Sequence, residues 1–369
     1  MNIKKKIINV CLSCVGGILI FDFIQSLKNQ KDFKVSITGI DQDKNASGKV
    51  LCDKFYQIHK PKFEKKYLDR LIKILIKNKI KIFFPLSDKE CEVISKNYSY
   101  LKKRVPNTSF WVGKSYPQNI LTNKEKFLLF CKSNKFYTEK YFILKKFDDF
   151  KKIAFSQKNK KLILKALDGS GSKGVFLINK NLKNNINILK GRNCYETNIN
   201  FHKKTFNNKK KFVLMPYFNG DFFDVDCIAS KGNLLEFSIR KRNNKNQFLF
   251  YSTGHKTVKN HLIKKTIKAF IKKSKIDGPC DFDVILKNNK VILMEASARL
   301  SGSVGICSKA GINFPAQAVR RLMNLRYKKM YLRENLTFRT FLTSDIISKK
   351  NSKIFMEYYI PYFEKQLKY

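Results

Sequence analysis

Apolar positions along the first hundred residues alternate between two rhythms. Ile7–Val10 is a short continuous apolar run, which predicts a buried strand. Gly16-Gly17 breaks it as a turn, and Ile18–Leu27 carries the 3.6-residue spacing of an amphipathic helix. Val35–Ile40 predicts a second strand ending at Asp41. Tyr67–Lys77 is apolar at 68, 71, 72, 75 and 76, again helical. Ile80–Phe84, stopped by Pro85, predicts a third strand, and Asp88–Leu101 another helix. Strands alternating with helices imply a parallel sheet covered on both faces, with ligands beyond the carboxyl ends of the strands. Gly16-Gly17, Asp41 and Ser87-Asp88 all fall at such ends.

Near Trp111 the rhythm changes. Lys124–Lys132 is helical. Short strand patterns follow at 141–144, 161–167, 174–178, 212–217, 223–230 and 233–240. His261–Lys273 is an amphipathic helix. Phe282–Leu286 and Val291–Glu295 form a hairpin about Asn288-Asn289. Ile312–Met323 is a last helix. This half reads as α+β on antiparallel sheets. Residues after about 327 are basic and aromatic, with no legible motif.

Length supports this division, since 369 residues exceed what one core usually holds. The expected boundaries are 1–110 for the α/β domain, 111–326 for the second domain, and 327–369 for a basic C-terminal segment. Charge changes the picture less than its size suggests. Lys+Arg number 76 against 28 Asp+Glu, a formal +48. The lysines run along the whole chain, and arginine, the better bidentate reader of phosphate and guanine, is scarce. A basic nucleic-acid-binding protein is therefore kept only as an alternative. Lys4-Lys5-Lys6 before an apolar run mimic a secretory signal, but Gly16-Gly17 splits the run and no small-residue cleavage site follows. No stretch reaches membrane-span length. Nine unclustered cysteines, Cys11 and Cys14 among them, do not form a disulfide framework or a zinc set. A cytoplasmic location is expected.

Three segments carry chemistry. Leu162 to Ile178 reads strand, Gly169-x-Gly171-x-x-Gly174, strand. A dinucleotide fold would need a helix after the glycines. A glycine hairpin instead suits polyphosphate, with backbone N–H groups, Ser170, Ser172 and Lys173 as donors. In the second segment, strand alternation places Asp281 and Asp283 on one face, and pairing about Asn288-Asn289 sets Asp283 nearly opposite Glu295. Two carboxylates that close call for a cation, and Mg²⁺ is held by one or two carboxylates plus phosphates. Arg299 lies just past the strand. The third runs Phe212 to Asp226 and ends at Arg240-x-Arg242, two guanidinium groups suited to phosphate or carboxylate. Read without a ligand, these are a bare hairpin, a solvated acid pair and a strand end.

Together the segments, over about residues 5–325, resemble the ATP-grasp superfamily, in the branch of the carbamoyl phosphate synthetase large subunit. The resemblance implies a Rossmann-like pre-ATP-grasp domain, carrying Val15-Gly16-Gly17, Gly39-Ile40-Asp41 and Ser87-Asp88-Lys89-Glu90. An ATP-grasp domain of two α+β subdomains follows, the glycine loop within about 125–212. It implies nucleotide contacts from Lys124, Lys165, Gly169, Ser170, Gly171, Ser172 and Gly174, and from the hinge Met215, Pro216, Tyr217 and Phe218. It implies metal ligands Asp283, Glu295 and Ser297, and catalytic Arg240 and Arg299. The implied cofactors are ATP with one or two Mg²⁺, or Mn²⁺. The implied activity is ADP-forming ligation of a small-molecule acid to an amine or related nucleophile through an acyl phosphate, with a homodimer as a family-level expectation. Three positions depart from the family pattern: Ser297 replaces Asn, Phe222 replaces the ribose-binding Glu, and Met215-Pro216 stands where the hinge has Glu. A non-catalytic ATP-binding protein of the same fold stays open beside the ligase.

Overall fold

The computed structural model describes residues 7–17, 20–113, 115–158, 161–167, 175–183, 186–188, 195–208, 210–217, 220–243, 254–327 and 329–339. The N-terminal part begins β1 (Ile7–Leu12), α1 (Ile20–Lys28), β2 (Lys34–Asp41), β3 (Lys54–Gln57), α2 (Glu64–Lys77) and β4 (Ile82–Phe84). It ends with α3 (Asp88–Lys96), α4 (Tyr98–Arg104) and β5 (Ser109–Phe110). Its sheet runs β3-β2-β1-β4-β5, and every pair is parallel. The order reverses between β1 and β4, so a ligand crevice belongs at their carboxyl ends. Residues 12–17 and Ser87-Asp88 sit there. Ser87 caps α3 by accepting from Glu90 N, and Gly16 N donates to Asp41 Oδ2 at 2.8 Å.

Side chains of β1 feed two cores. Val10 and Leu12 pack with α1 on one face, whereas Cys11 packs with Tyr67, Leu71 and Ile94 on the other. The expected single helix over Asp88–Leu101 is two helices. Asn97 ends α3 by donating its side-chain Nδ2 to Val93 O at 2.9 Å, and a local side-chain donor of this kind competes with helix continuation.

Next come α5 (Ser115–Thr122), α6 (Lys124–Ser133), β6 (Phe142–Leu144), α7 (Phe147–Ser156), β7 (Lys161–Ala166), β8 (Val175–Asn179), β9 (Ile186–Ile188), β10 (Tyr195–Thr197) and β11 (Phe212–Pro216). They form a sheet β6-β11-β7-β8-β10-β9, antiparallel except that β8 and β10 run parallel. A third sheet is built from β12 (Asp221–Ser230), β13 (Asn233–Arg242), β14 (His255–Thr257), β15 (Gly278–Lys287), β16 (Lys290–Ser297) and β17 (Thr337–Phe338), in the order β16-β15-β12-β13-β14-β17. Asn288 and Asn289 join β15 to β16 with φ of 47° and 57°, the left-handed pair that a two-residue hairpin requires.

Helix α8 (His261–Ser274) covers one face of the third sheet. There Phe270 meets the rings of Phe127, Phe130, Phe136 and Phe282 at centroid distances of 5.6, 5.0, 5.3 and 5.2 Å. The expected last helix over Ile312–Met323 is α10 (Phe314–Leu322), and a short helix that was not expected, α9 (Val304–Lys309), precedes it. Gly311 turns the chain between them at φ 112°, and Asn313 caps α10 by accepting from Ala316 N. Of the segment after 327, the described residues 329–339 reach the edge of the third sheet. Its β17 pairs with β14, and Thr257 Oγ1 donates to Arg333 O at 2.7 Å. Among the described residues no helix is long and apolar enough to cross a membrane, and every described cysteine is free.

Candidate active site

Strand register assembles the site. Across the third sheet Glu295 pairs with Asp283, Asp283 with Asp224, Asp224 with Arg240, and Arg240 with Thr257. Residues directly opposite on neighbouring strands point to the same face. The adjoining row holds Ser297, Asp281, Asp226 and Ser238 in the same way. Five carboxylates thus share one face, in a chain whose acids total only 28. The opposite face carries Phe282, Val225 and Cys227 into the core with α8. Apolar and acidic residues alternating along β12 and β15 create both faces.

The acids are met by cations from every direction. Lys124, first residue of α6, places its Nζ 3.2 Å from Glu295 Oε1. It points there because Asn123 caps that helix, accepting from Lys126 N at 3.0 Å. Lys165 lies on β7, directly opposite Val175 on β8. Its charge acts on both Asp283 and Glu295. Burial would raise the Glu295 carboxyl, but Lys124 and then Lys165 hold it below its ordinary value. Asp283 moves the other way. Burial pushes it up to about 6 against the pull of Arg242, and the carboxylates of Asp224 and Glu295 push it further.

Arg242 links two acids. Its Nε donates to Asp224 Oδ1 at 3.0 Å, and its Nη2 donates to Asp224 Oδ1 and, at 2.8 Å, to Asp283 Oδ1. His255 Nε2 lies 2.7 Å from the other Asp224 oxygen. Burial opposes ionisation of Asp224, yet Arg242 first and His255 next hold its carboxyl well below the ordinary range.

Arg299 bridges the two halves of the molecule. Its Nη1 donates to Asp281 Oδ2 at 2.6 Å and its Nη2 to Asp88 Oδ2 at 3.3 Å. The crevice of the parallel sheet therefore opens toward the acidic face of the third sheet. Burial raises the Asp281 carboxyl although Arg299 pulls it down, and Asp226, Asp283 and Asp88 add to the rise.

The expected site residues are brought together unevenly. Lys124, Lys165, Asp283, Glu295 and Arg299 converge. Arg240 does not face the opening. It is fully buried, its Nη2 paired with Asp226 Oδ2, its Nη1 donating to Ser303 O at 2.7 Å. Its reach extends only through the turn at 301–303, which Asp226 also holds by accepting from Ser301 N at 2.7 Å. Ser297 is buried at 5% exposure, one row from Glu295 and opposite Asp281. Met215, Pro216 and Tyr217 lie at the end of β11, where Tyr217 N donates to Lys161 O at 3.2 Å. Gly169, Ser170, Gly171, Ser172, Gly174 and Phe218 lie outside the described residues. Asp224 and His255 were not anticipated. The Asp224-x-Asp226 alternation was a usable signal for the first. Nothing local marks His255, whose importance comes from a strand pairing.

Asp283 and Glu295 suit a hard divalent cation, because they are half-exposed acids in register whose mutual repulsion a cation would relieve. Among the described residues no group of three or more His, Cys, Asp or Glu is placed to hold a metal ion alone. The remaining ligands would come from phosphate and water, as is usual for Mg²⁺.

Comparison with known proteins gives the same picture. Residues 208–341 match a family described as ATP-grasp in the biosynthetic pathway with Ter operon, and residues 15–105 match the PylC-like N-terminal domain. No curated protein matches. Solved structures share the fold at low identity. N5-carboxyaminoimidazole synthetase from Staphylococcus aureus, complexed with ADP, superposes with TM-score 0.63 at 14% identity, covering 90% of this chain and 82% of that one. L-amino acid ligase from Bacillus licheniformis gives 0.60 at 15%, covering 88% and 76%. The biotin carboxylase domain of Hydrogenobacter thermophilus 2-oxoglutarate carboxylase, with MgADP and bicarbonate, gives 0.61 at 14%, covering 88% and 72%. Residues 208–341 thus carry an ATP-grasp match behind a PylC-like N-terminal match at residues 15–105, on a fold that the chain shares with these solved structures.

Proposed function

We propose that the protein is an ATP-dependent ligase that joins a small-molecule acid to an amine or related nucleophile through an acyl phosphate. The observation that carries this reading is the convergence of Lys124 and Lys165 on the opposed acids Glu295 and Asp283. ATP phosphates would lie beneath the 168–174 loop, neutralised by the two lysines. The adenine would meet the 215–218 hinge. Asp283 and Glu295 would hold Mg²⁺, which when bound adds neutralising charge on the phosphates. Ser297 would add at most a short hydroxyl contact.

The acid substrate would enter at the crevice beyond β1 and β4 and meet the phosphates beside Arg299. Its carboxylate oxygen attacks the γ-phosphorus, and the bond to the β-phosphate oxygen breaks as ADP leaves. Arg299 stabilises the charge spread over the transferring group. The amine then attacks the acyl carbon and phosphate departs. Positioning and charge neutralisation account for most of such catalysis. Arg240 would contribute by fixing the 301–303 turn after Arg299.

A binding role without turnover is the second reading, favoured by the buried Ser297 in place of a longer amide. ADP release across a panel of acids and amines separates the two. Under the ligase reading a subset of pairs stimulates release, and Glu295→Gln abolishes it. Tight Mg²⁺-ATP binding with no release from any pair would favour the second reading.

A further inference from the structure

Arg242 holds two carboxylates with unequal grips. Toward Asp224 it offers a fork, Nε and Nη2 both donating to a side chain only 7% exposed. Toward Asp283 it offers one N–H, and that side chain is 48% exposed. The buried two-atom contact is the stronger, because geometry and low dielectric favour it over a solvent-screened one. His255 is 3% exposed and holds Asp224 Oδ2, which also accepts from Arg242 Nε at 3.2 Å, so both oxygens of the carboxylate are fixed. It reaches that position because it pairs with Arg242 across β13 and β14, and β17 pairs with it from the outer edge.

We propose that Asp224, fixed by His255, is the anchor that keeps Arg242 from competing with a divalent cation for Asp283. This rests on reading Asp283 and Glu295 as cation ligands. Two internal cations occupy those acids here, Lys124 on Glu295 and Arg242 on Asp283. A metal ion must displace both. Lys124 swings aside on a flexible stem. Arg242 stays on Asp224 and surrenders only its weaker contact. Without Asp224, Asp283 is the one carboxylate left to Arg242 among the described residues, and the guanidinium becomes a direct competitor. Asp224 and His255 are positioning residues that act on the site through Arg242.

The test is Mn²⁺ binding to the full-length chain without nucleotide, by titration calorimetry and by the electron paramagnetic resonance signal of free Mn²⁺. Asp224→Asn should weaken binding about ten-fold, a common cost of losing a partner behind a metal ligand. Arg242→Gln should change affinity by less than about three-fold in the native background but recover about ten-fold in the Asp224→Asn background, a coupling that double-mutant analysis isolates. If Arg242→Gln raises affinity equally in both backgrounds, Asp224 acts only as a distant negative charge and the anchor role is overturned. His255→Ala keeps the Asp224 charge and should weaken binding in the same direction, with His255→Gln restoring it; no loss in the alanine variant also overturns the proposal. Thermal unfolding without metal checks that each variant folds, and the His255 pair serves if Asp224→Asn does not. Undiminished Mn²⁺ binding by Glu295→Gln would instead refute the cation-site reading itself, a separate failure.

Discussion

Replacing Arg240 by Met isolates the buried ion pair beneath the active face. Arg240 and Asp226 are both fully buried. Asp226 keeps other donors, the N–H of Ser301 at 2.7 Å, its hydroxyl at 2.8 Å and, more weakly, the Cys307 thiol at 3.9 Å. Removing one partner of a buried pair costs about 3–5 kcal/mol, because the survivor's charge stays desolvated. The Ser301 donors place the expectation at the lower end, about 3 kcal/mol. With an unfolding entropy of about 2.1 cal/mol/K per residue, a chain of 369 residues shifts by about 1–2 °C per kcal/mol, so the melting temperature should fall by about 3–6 °C. Urea unfolding followed by circular dichroism measures the free-energy loss directly. Adding Asp226→Asn removes the stranded charge and should recover at least half of it. A loss below about 1 kcal/mol, or no recovery in the double variant, would mean that water reaches the pair and that the buried-charge argument is wrong.

Other consequences are as direct. Phe270→Ala should cost about 3–5 kcal/mol, since the ring is fully buried among four others and the hole cannot close; denaturant midpoints check it. The Asp283 carboxyl is raised to about 6, so protons increasingly compete with a cation for it as pH falls below that value. Mn²⁺ affinity should therefore climb as pH rises through 6 and level off above about 7, whereas a flat profile from pH 5 to pH 8 would contradict the assignment. Without metal the sign reverses: a raised acid favours the folded state at low pH. That contribution fades between 3.8 and about 6, and stays small because the side chain is half exposed. Thr257→Val removes the hydroxyl that donates to Arg333 O and accepts from Leu336 N. Limited proteolysis should then cut after residue 327 several-fold faster, with a loss of about 1 kcal/mol.

Much of this architecture was legible where the chemistry is local. Period and punctuation located β1, α1, α6, α8 and the β15–β16 hairpin, because each has a clean apolar rhythm and a local cap or turn. The Asn288-Asn289 turn sets the register out to Val284 against Leu293, and a one-residue shift between Asp283 and Val284, which no local signal marks, then brings Asp283 opposite Glu295. Helix α5 was missed because Pro117 and polar residues interrupt its few apolar ones, α7 was missed although Phe147, Phe150, Ile153 and Ala154 stand at helical spacing, and β14 and β17 are too short to show a period. Arg240 and Arg242 looked equivalent, standing two apart on one strand. Only the neighbours distinguish them: Asp226 draws one into the interior, and Asp224 with Asp283 leaves the other at the opening. Pairings between strands far apart in sequence carry no local mark.

One core is shared by the two ends of the described chain. Val10, Leu12, Phe23 and Leu27 pack in the same cluster as Leu300, Val304, Phe314 and Val319. Gly305 admits Asp22 so closely that a Cβ would lie 2.1 Å from the aspartate Cβ, and Asn313 Nδ2 donates to Ser26 O at 2.7 Å. A fragment cut near residue 113 would therefore be a sheet with one greasy side bare. It should aggregate alone and regain solubility when a peptide spanning α9 and α10 is supplied in trans. The same helices follow directly on Arg299, so any tilt of the parallel sheet drags the turn at 301–303 with it.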